Sequence, residues 1–230
     1  MITVTVKAQG SNDAARRRAR RMLGAVLTTL AVGFGSTALP ADAAPEHKVG
    51  DALGSLWQVV LDTPTPQNPF AGGDPCVHMG AIVAPFTPLG AATVACTVSP
   101  GTPVLITAES SECSTLEPPP FYGANEAALR ACARAADEGF TMIALTLDGV
   151  PTPLTQVETS LLALDLPADN ILGVPAQPAF SVAHGWVALL HPLTPGTHHV
   201  MLRIVGTDVF GAAVDLTNAT TLTVTPGLQG

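Results

Sequence analysis

Charge is scarce in this sequence. Asp, Glu, Lys and Arg make up 12% of its 230 residues, against 47% hydrophobic ones, which excludes an acidic disordered tail and a charged coiled coil. Positive charge is scarcer still: Lys and Arg number 10 against 18 Asp and Glu, for a formal charge of -8. A surface of that sign disfavours nucleic acid as a partner. Aromatic residues reach only 4%, few for a cleft that stacks sugars. Local catalytic signatures are missing too. Downstream of the N-terminal segment no G-x-S-x-G elbow occurs, and the chain has no H-E-x-x-H pair and no phosphate-cradling glycine loop.

Most of the positive charge that is present sits at the front. Residues 16–21 read Arg-Arg-Arg-Ala-Arg-Arg, and an uncharged apolar run from Met22 to Leu39 follows. Pro40 ends that run, and Ala41-Asp42-Ala43 offers small residues where a signal peptidase reads them. This order is that of a secretory signal peptide over residues 1–43, leaving a single domain over residues 44–230. Arg20-Arg21-Met22-Leu23 keeps both the general and the twin-arginine export routes open. The remainder holds four basic residues (Lys48, Arg130, Arg134, Arg203) against 16 acidic ones, a net charge of -12 with His neutral. It contains no second run of membrane-spanning length, so the expected location is secreted and extracellular.

Cys76, Cys96, Cys113 and Cys132 all follow the apolar run. An even number in an exported chain reads as two disulfides. Of the three connectivities, Cys76–Cys96 with Cys113–Cys132 is favoured because each bond then closes one local loop. Zinc would need close ligand pairs such as C-x-x-C, and Cys76-Val77-His78 is the only tight pair. No cofactor is expected, with Ca or Zn as the alternatives.

Periodicity assigns the elements. Ala52, Leu53, Leu56, Trp57, Val60 and Leu61 fall on one face of a helix with Asp51 as its N-cap. A second helix fits Ala124–Asp137, with Leu129, Cys132 and Ala136 on one side. The proline-rich segment Thr63–Pro75 reads as a structured loop. Short runs rich in Val, Ile, Thr and Leu read as strands: Ala81–Phe86, Ala91–Val98, Val104–Ala108, Phe140–Leu147, Leu161–Leu166, Gly185–Leu190, His199–Val205 and Ala213–Val224. Asp148-Gly149 signals a two-residue hairpin, and Leu193-Thr194-Pro195-Gly196 a further turn. Eight short strands with two short helices and no βαβ alternation predict an antiparallel β-sandwich.

A set of motifs runs through nearly all of residues 44–230. It comprises Leu56-Trp57-Gln58, Asn68-Pro69, Cys76, Cys96-Thr97-Val98, Glu112-Cys113-Ser114, Leu129-Arg130-Ala131-Cys132 and Leu147-Asp148-Gly149. It continues with Leu166-Pro167-Ala168-Asp169-Asn170-Ile171-Leu172-Gly173, Gly185-Trp186 and Pro192-Leu193-Thr194-Pro195-Gly196-Thr197-His198. The pattern resembles a family of exported bacterial β-sandwich proteins of uncharacterised function. The resemblance implies a secreted β-sandwich with two short helices and disulfides, and it brings no activity and no catalytic residue. This chain departs from the pattern at Gln156, Glu158 and Thr159, where the family carries Arg and Gln followed by Ser. It departs again at His184, where an acidic residue is usual, and over Met79–Phe86, which lacks Trp.

Candidate sites come from two residue types. Glu109, Glu112 and Glu117 crowd a stretch that ends in Pro118-Pro119-Pro120-Phe121-Tyr122, and a loop there would carry binding. Glu109, Glu112, Glu117, Phe121 and Tyr122 are the expected contacts, together with Asn68–Asp74. Paired carboxylates also suit glycoside hydrolysis, which the scarcity of aromatics disfavours. Asp165 and Asp169-Asn170 would either bind calcium or hold a turn through Asx hydrogen bonds, the commoner use. Among His78, His184, His191, His198 and His199, the pair His191 and His198 flanks a turn that would bring them together across a hairpin. With His184 or a carboxylate they would then take a divalent metal; alternation of a strand to solvent is the commoner fate. Trp57 and Trp186 read as core anchors. The expected function is a secreted, disulfide-stabilised binding module for an extracellular protein, peptide or lipidic ligand. The alternative is a secreted hydrolase or metal-assisted enzyme using His184, His191 or His198 with Glu112.

Overall fold

A computed structural model describes residues 43–87 and 93–226, and the expected signal peptide therefore lies outside the described residues except for Ala43. The chain runs α1 (Ala43–Leu61), two 3-10 turns (Thr65–Gln67 and Pro69–Ala71), β1 (Cys76–Met79), β2 (Ile82–Pro85), β3 (Thr93–Val98), β4 (Val104–Ser114) and α2 (Glu126–Asp137). It continues as β5 (Phe140–Leu147), β6 (Val150–Thr152), β7 (Thr155–Glu158), β8 (Leu162–Leu166), β9 (Gln177–Leu190), β10 (Gly196–Thr207) and β11 (Ala213–Val224). Among the described residues no helix is long and apolar enough to cross a membrane.

The strands form two packed sheets, a β-sandwich. One has the order β1-β2-β4-β9-β7 with β8 also paired to β9; the other has the order β3-β11-β10-β5-β6. Most pairs are antiparallel, as expected, but β2 runs parallel to β4 and β3 parallel to β11. Alternation along β9 divides its side chains between two cores. Ala183 and Val187 meet α1, while Ala188 and Leu190 meet the second sheet and Val182 meets α2. The first sheet is therefore covered on one face by α1 and on the other by its partner sheet and α2.

The six apolar positions that predict α1 are all buried against this sheet. The helix starts earlier than expected, at Ala43, so Asp51 is an exposed mid-helix residue and not its N-cap. Pro45 does not prevent this, because a first-turn proline removes an N–H that has no helical acceptor. In α2 the Asn125 side chain caps the helix by accepting from the Ala128 N–H at 3.1 Å. The Asp148-Gly149 turn joins β5 to β6 with both residues at positive φ, 52° and 79°, as a type I′ hairpin requires. The turn at Leu193–Gly196 does not form a hairpin, because β9 and β10 belong to different sheets.

Both disulfides have the favoured pairing, Cys76–Cys96 and Cys113–Cys132. The first ties β1 at the margin of one sheet to β3 at the margin of the other; the second ties β4 to α2. Two disulfides on a mainly β framework fit a module that matures outside a reducing cytosol.

Candidate functional site

Two irregularities in the first sheet create the site. β2 meets β4 at a single register pair, Val83 with Val104. Beyond it, β4 has β9 on one side and no described strand on the other until Ser114 bonds to Phe121 and Gly123. The second irregularity is a bulge in β4: Thr107 pairs with Val187 and Glu109 with Trp186, leaving Ala108 as the extra residue. A bulge reverses the inward and outward parity of everything after it. Glu109, Ser111 and Cys113 therefore share a face with Trp186, His184 and Val182, toward α2. Ser110 and Glu112 face α1, where Ser110 Oγ accepts from Trp57 Nε1 at 2.7 Å.

A cavity of about 350 Å³ lies along this open edge. Its floor is the continuous stretch Thr107–Glu112. Trp57, Phe70 and Phe86 wall one side with ring centroids 4.7 to 6.2 Å apart. Phe121 and Phe210, 5.9 Å apart, stand on the other, and Phe210 is 71% exposed at the rim. Glu117, Asp208, Thr87 and Asn218 add polar groups to the lining.

The carboxyl groups at this floor form two pairs. Glu112 is 5% exposed, accepts from the Ser181 hydroxyl and lies beside Glu117. Ser114 brings Glu117 back to it, since its Oγ accepts from the N–H groups of Leu116 and Glu117 at 3.3 and 3.1 Å. Burial drives the Glu112 carboxyl well above its ordinary range, with the Glu117 charge adding to the effect. Burial raises Glu117 as well. In the second pair, burial and then the neighbouring Asp137 charge push Glu109 up to about 8. Asp137 is 1% exposed; its Oδ2 accepts from His184 Nδ1 at 2.7 Å, while its Oδ1 has no N–H or hydroxyl partner. A proton on Glu109 supplies the missing donor. With Nδ1–H committed to Asp137, His184 Nε2 is left to accept from Gln156 Nε2 at 3.2 Å. Gln156 on β7 and His184 on β9 thus touch each other across the sheet.

Of the expected binding residues, Glu109, Glu112, Glu117 and Phe121 line the cavity, and so does Phe70 from the stretch Asn68–Asp74. Tyr122 is not part of the lining; it is 46% exposed and bridges to Ser114. Glu109 and Glu112 do not sit on a loop as expected, because β4 continues through Glu109–Ser114; Glu117 does, beyond the end of the strand. The histidines are not brought together. His191 is exposed at the end of β9, His198 binds Asp148 at 2.8 Å in the β5–β6 hairpin, and His184 lies on the opposite face of the sheet from Glu112. His78 and His199 are exposed. Among the described residues no group of three His, Cys, Asp or Glu is placed to hold a metal. Asn170 holds a turn, bonding Pro167 O, Val174 O and the Val174 N–H. Trp57, carried by α1, is buried in the core against the first sheet and also walls the cavity, while Trp186 packs half-buried beside His184.

Sequence reasoning overlooks Asp137, yet it carries a signal. With Leu129 and Ala133 it continues the buried i, i+4, i+8 stripe of α2, and an acid on such a stripe needs a buried partner.

Gly185 makes the close approach of β9 to the bulge feasible. A Cβ there would lie 2.3 Å from Glu109 O and 2.7 Å from Ser110 Cα. Gly185→Ala is expected to cost about 3 kcal/mol, at the upper end of overpacking effects. Urea denaturation measures it, and a loss below about 1 kcal/mol would show that the two strands separate easily.

No family model matches this chain, and neither does any curated protein. Among solved structures, the cysteine protease inhibitor EhICP2 from Entamoeba histolytica is similar over 62% of this chain and 93% of that chain. The identity is 13% and the TM-score 0.24, too slight a likeness to bear on fold or function.

Proposed function

We propose that the protein is a secreted binding module whose contact site is the cavity along the open edge of β4, and that its ligand is an extended peptide segment of an extracellular protein. One observation carries the reading: the floor of an aromatic-walled cavity is strand backbone with no described strand beside it. In an antiparallel ladder alternate residues turn their N–H and C=O away from the partner. Ser114 bonds outward to Phe121 and Gly123, and by the same alternation Glu112 and Ser110 offer their backbone groups to the cavity. The Ser110 N–H is held by the Glu109 carboxyl at 2.5 Å. Strand addition supplies affinity through such groups and specificity through side-chain pockets. The signal-like N-terminus, the two disulfides and the motif resemblance support an exported setting.

A displayed library of random heptapeptides, selected on the folded protein, tests this. Peptides should be recovered that slow amide exchange at Ser110 and Glu112, and Phe210→Asp should abolish their binding without altering thermal stability. A selection that yields no such peptide, or peptides indifferent to Phe210→Asp, would overturn the reading.

A further inference from the structure

Among the described residues the carboxyl groups of this cavity have no basic counterpart: Glu109, Glu112, Glu117 and Asp208 line it, and no described Lys, Arg or His does so. The described arginines are engaged elsewhere: Arg130 binds Glu126 and Glu158, Arg134 binds Glu158, and Arg203 binds Asp215. His184 is committed to Asp137 and Gln156. Structural acids at this depth normally face a positive partner or a full set of hydrogen-bond donors. Here one buried oxygen of the lining has neither: Glu117 Oε2, on the cavity wall itself. Apolar rings wall the cavity on both sides. A site built in this way lacks a cation on an aliphatic or aromatic-compatible stem.

We infer that the cavity is selective for a basic side chain, Lys or Arg, presented by the extended segment, with its stem between the aromatic walls and its charge among Glu109, Glu112 and Glu117. This rests on the peptide reading above and adds the identity of the residue that enters. Rings on both sides of the acids favour it over a compact inorganic cation, because a long stem covers apolar surface while its head reaches the carboxyls. An anionic group would meet no cation among the described lining residues. A neutral apolar residue would fill the space but leave the buried Glu117 oxygen unpaired.

The binding step has a defined proton balance. In the empty cavity Glu109, pushed up to about 8 by burial, holds its neutralising proton near neutral pH, and burial raises Glu112 and Glu117 in the same direction. An entering ammonium or guanidinium takes over that role, and a displaced proton passes to solvent. Asp137 on α2, His184 on β9 and Asp208 between β10 and β11 are the other titratable groups facing this cluster. About one proton should be released per basic peptide bound near neutral pH.

The experiment uses blocked pentapeptides of four valines around a central Lys, Arg or norleucine, measured by calorimetry in buffers of different ionisation heat. Lys and Arg peptides should bind at least about tenfold more tightly than the norleucine peptide and release protons. Glu109→Gln and Glu117→Gln should each bring the Lys-to-norleucine ratio toward one. Equal binding of all three peptides, with amide exchange slowed at Ser110 and Glu112, would overturn cation selectivity and leave the peptide reading standing. No slowing of exchange by any of them would remove both.

Discussion

Raised from about pH 5 to about pH 8, the protein is expected to lose several kcal/mol of folding stability, where ordinary domains are near their best. In the folded chain Glu109 holds its proton up to about 8, against an ordinary value of 4.5 in the unfolded chain. Between those values the folded state binds more protons than the unfolded one, so each step up in pH favours unfolding. At 1.36 kcal/mol per unit, Glu109 alone sets a ceiling of about 5 kcal/mol. Burial acts on Glu112 and Glu117 in the same direction. His198, raised by Asp148, adds a small contribution of the same sign, present below 6.5 and lost above its folded value. Glu158, Asp148 and Asp215 are lowered by their partners. Their stabilisation disappears only as pH falls through and below the ordinary carboxylate range. Maximum stability is therefore expected near about pH 5. Urea denaturation across this range measures it, and Glu109→Gln should flatten the slope and stabilise the protein at the alkaline end. A flat profile, or one that rises with pH, would mean that the carboxyls are solvated.

That acid cluster was only partly legible in the sequence, and the reason is physical. The helix face from Ala52 to Leu61 and the strand Phe140–Leu147 announce themselves because their apolar periodicity is local. The cysteine pairing follows from loop closure, which is local as well. β4 is different. Its second half, Glu109 to Ser114, has no strand-like composition and is held extended by β9 and α2. A sequence reader therefore ends the strand at Ala108 and places the acids on a loop. The bulge that reverses their facing, and the early departure of β2 that opens the edge, are decided by pairing across the sheet. No local pattern records them. Strands β1, β6 and β7 are missed for a similar reason, since three or four residues provide too few alternations to establish a period. The histidines show the opposite error: neighbours across a turn were expected to meet, but the turn carries the chain from one sheet to the other.

Removing both disulfides is expected to cost roughly 6 kcal/mol, about 3 for each loop. Both loops are of similar length, with sequence separations of 20 and 19, so the two should contribute equally to stability. Their effects on the cavity should differ. Cys76–Cys96 joins the margins of the two sheets, away from the carboxyls. Cys113–Cys132 anchors α2 to the stretch of β4 that carries Glu109 and Glu112, and Asp137 ends that same helix. Without this bond α2 is free to shift, Asp137 moves from Glu109, and water reaches the pair. Cys113→Ala with Cys132→Ala should therefore lose stability and also flatten its decline with pH, as Glu109 returns toward the ordinary carboxylate range. Cys76→Ala with Cys96→Ala should lose a comparable amount and keep the decline. Urea denaturation of both double variants at two pH values separates these outcomes. If the pH slope survives equally in both, hydrogen bonding and packing within the sheet hold the acid pair, and the disulfide to α2 has no part in it.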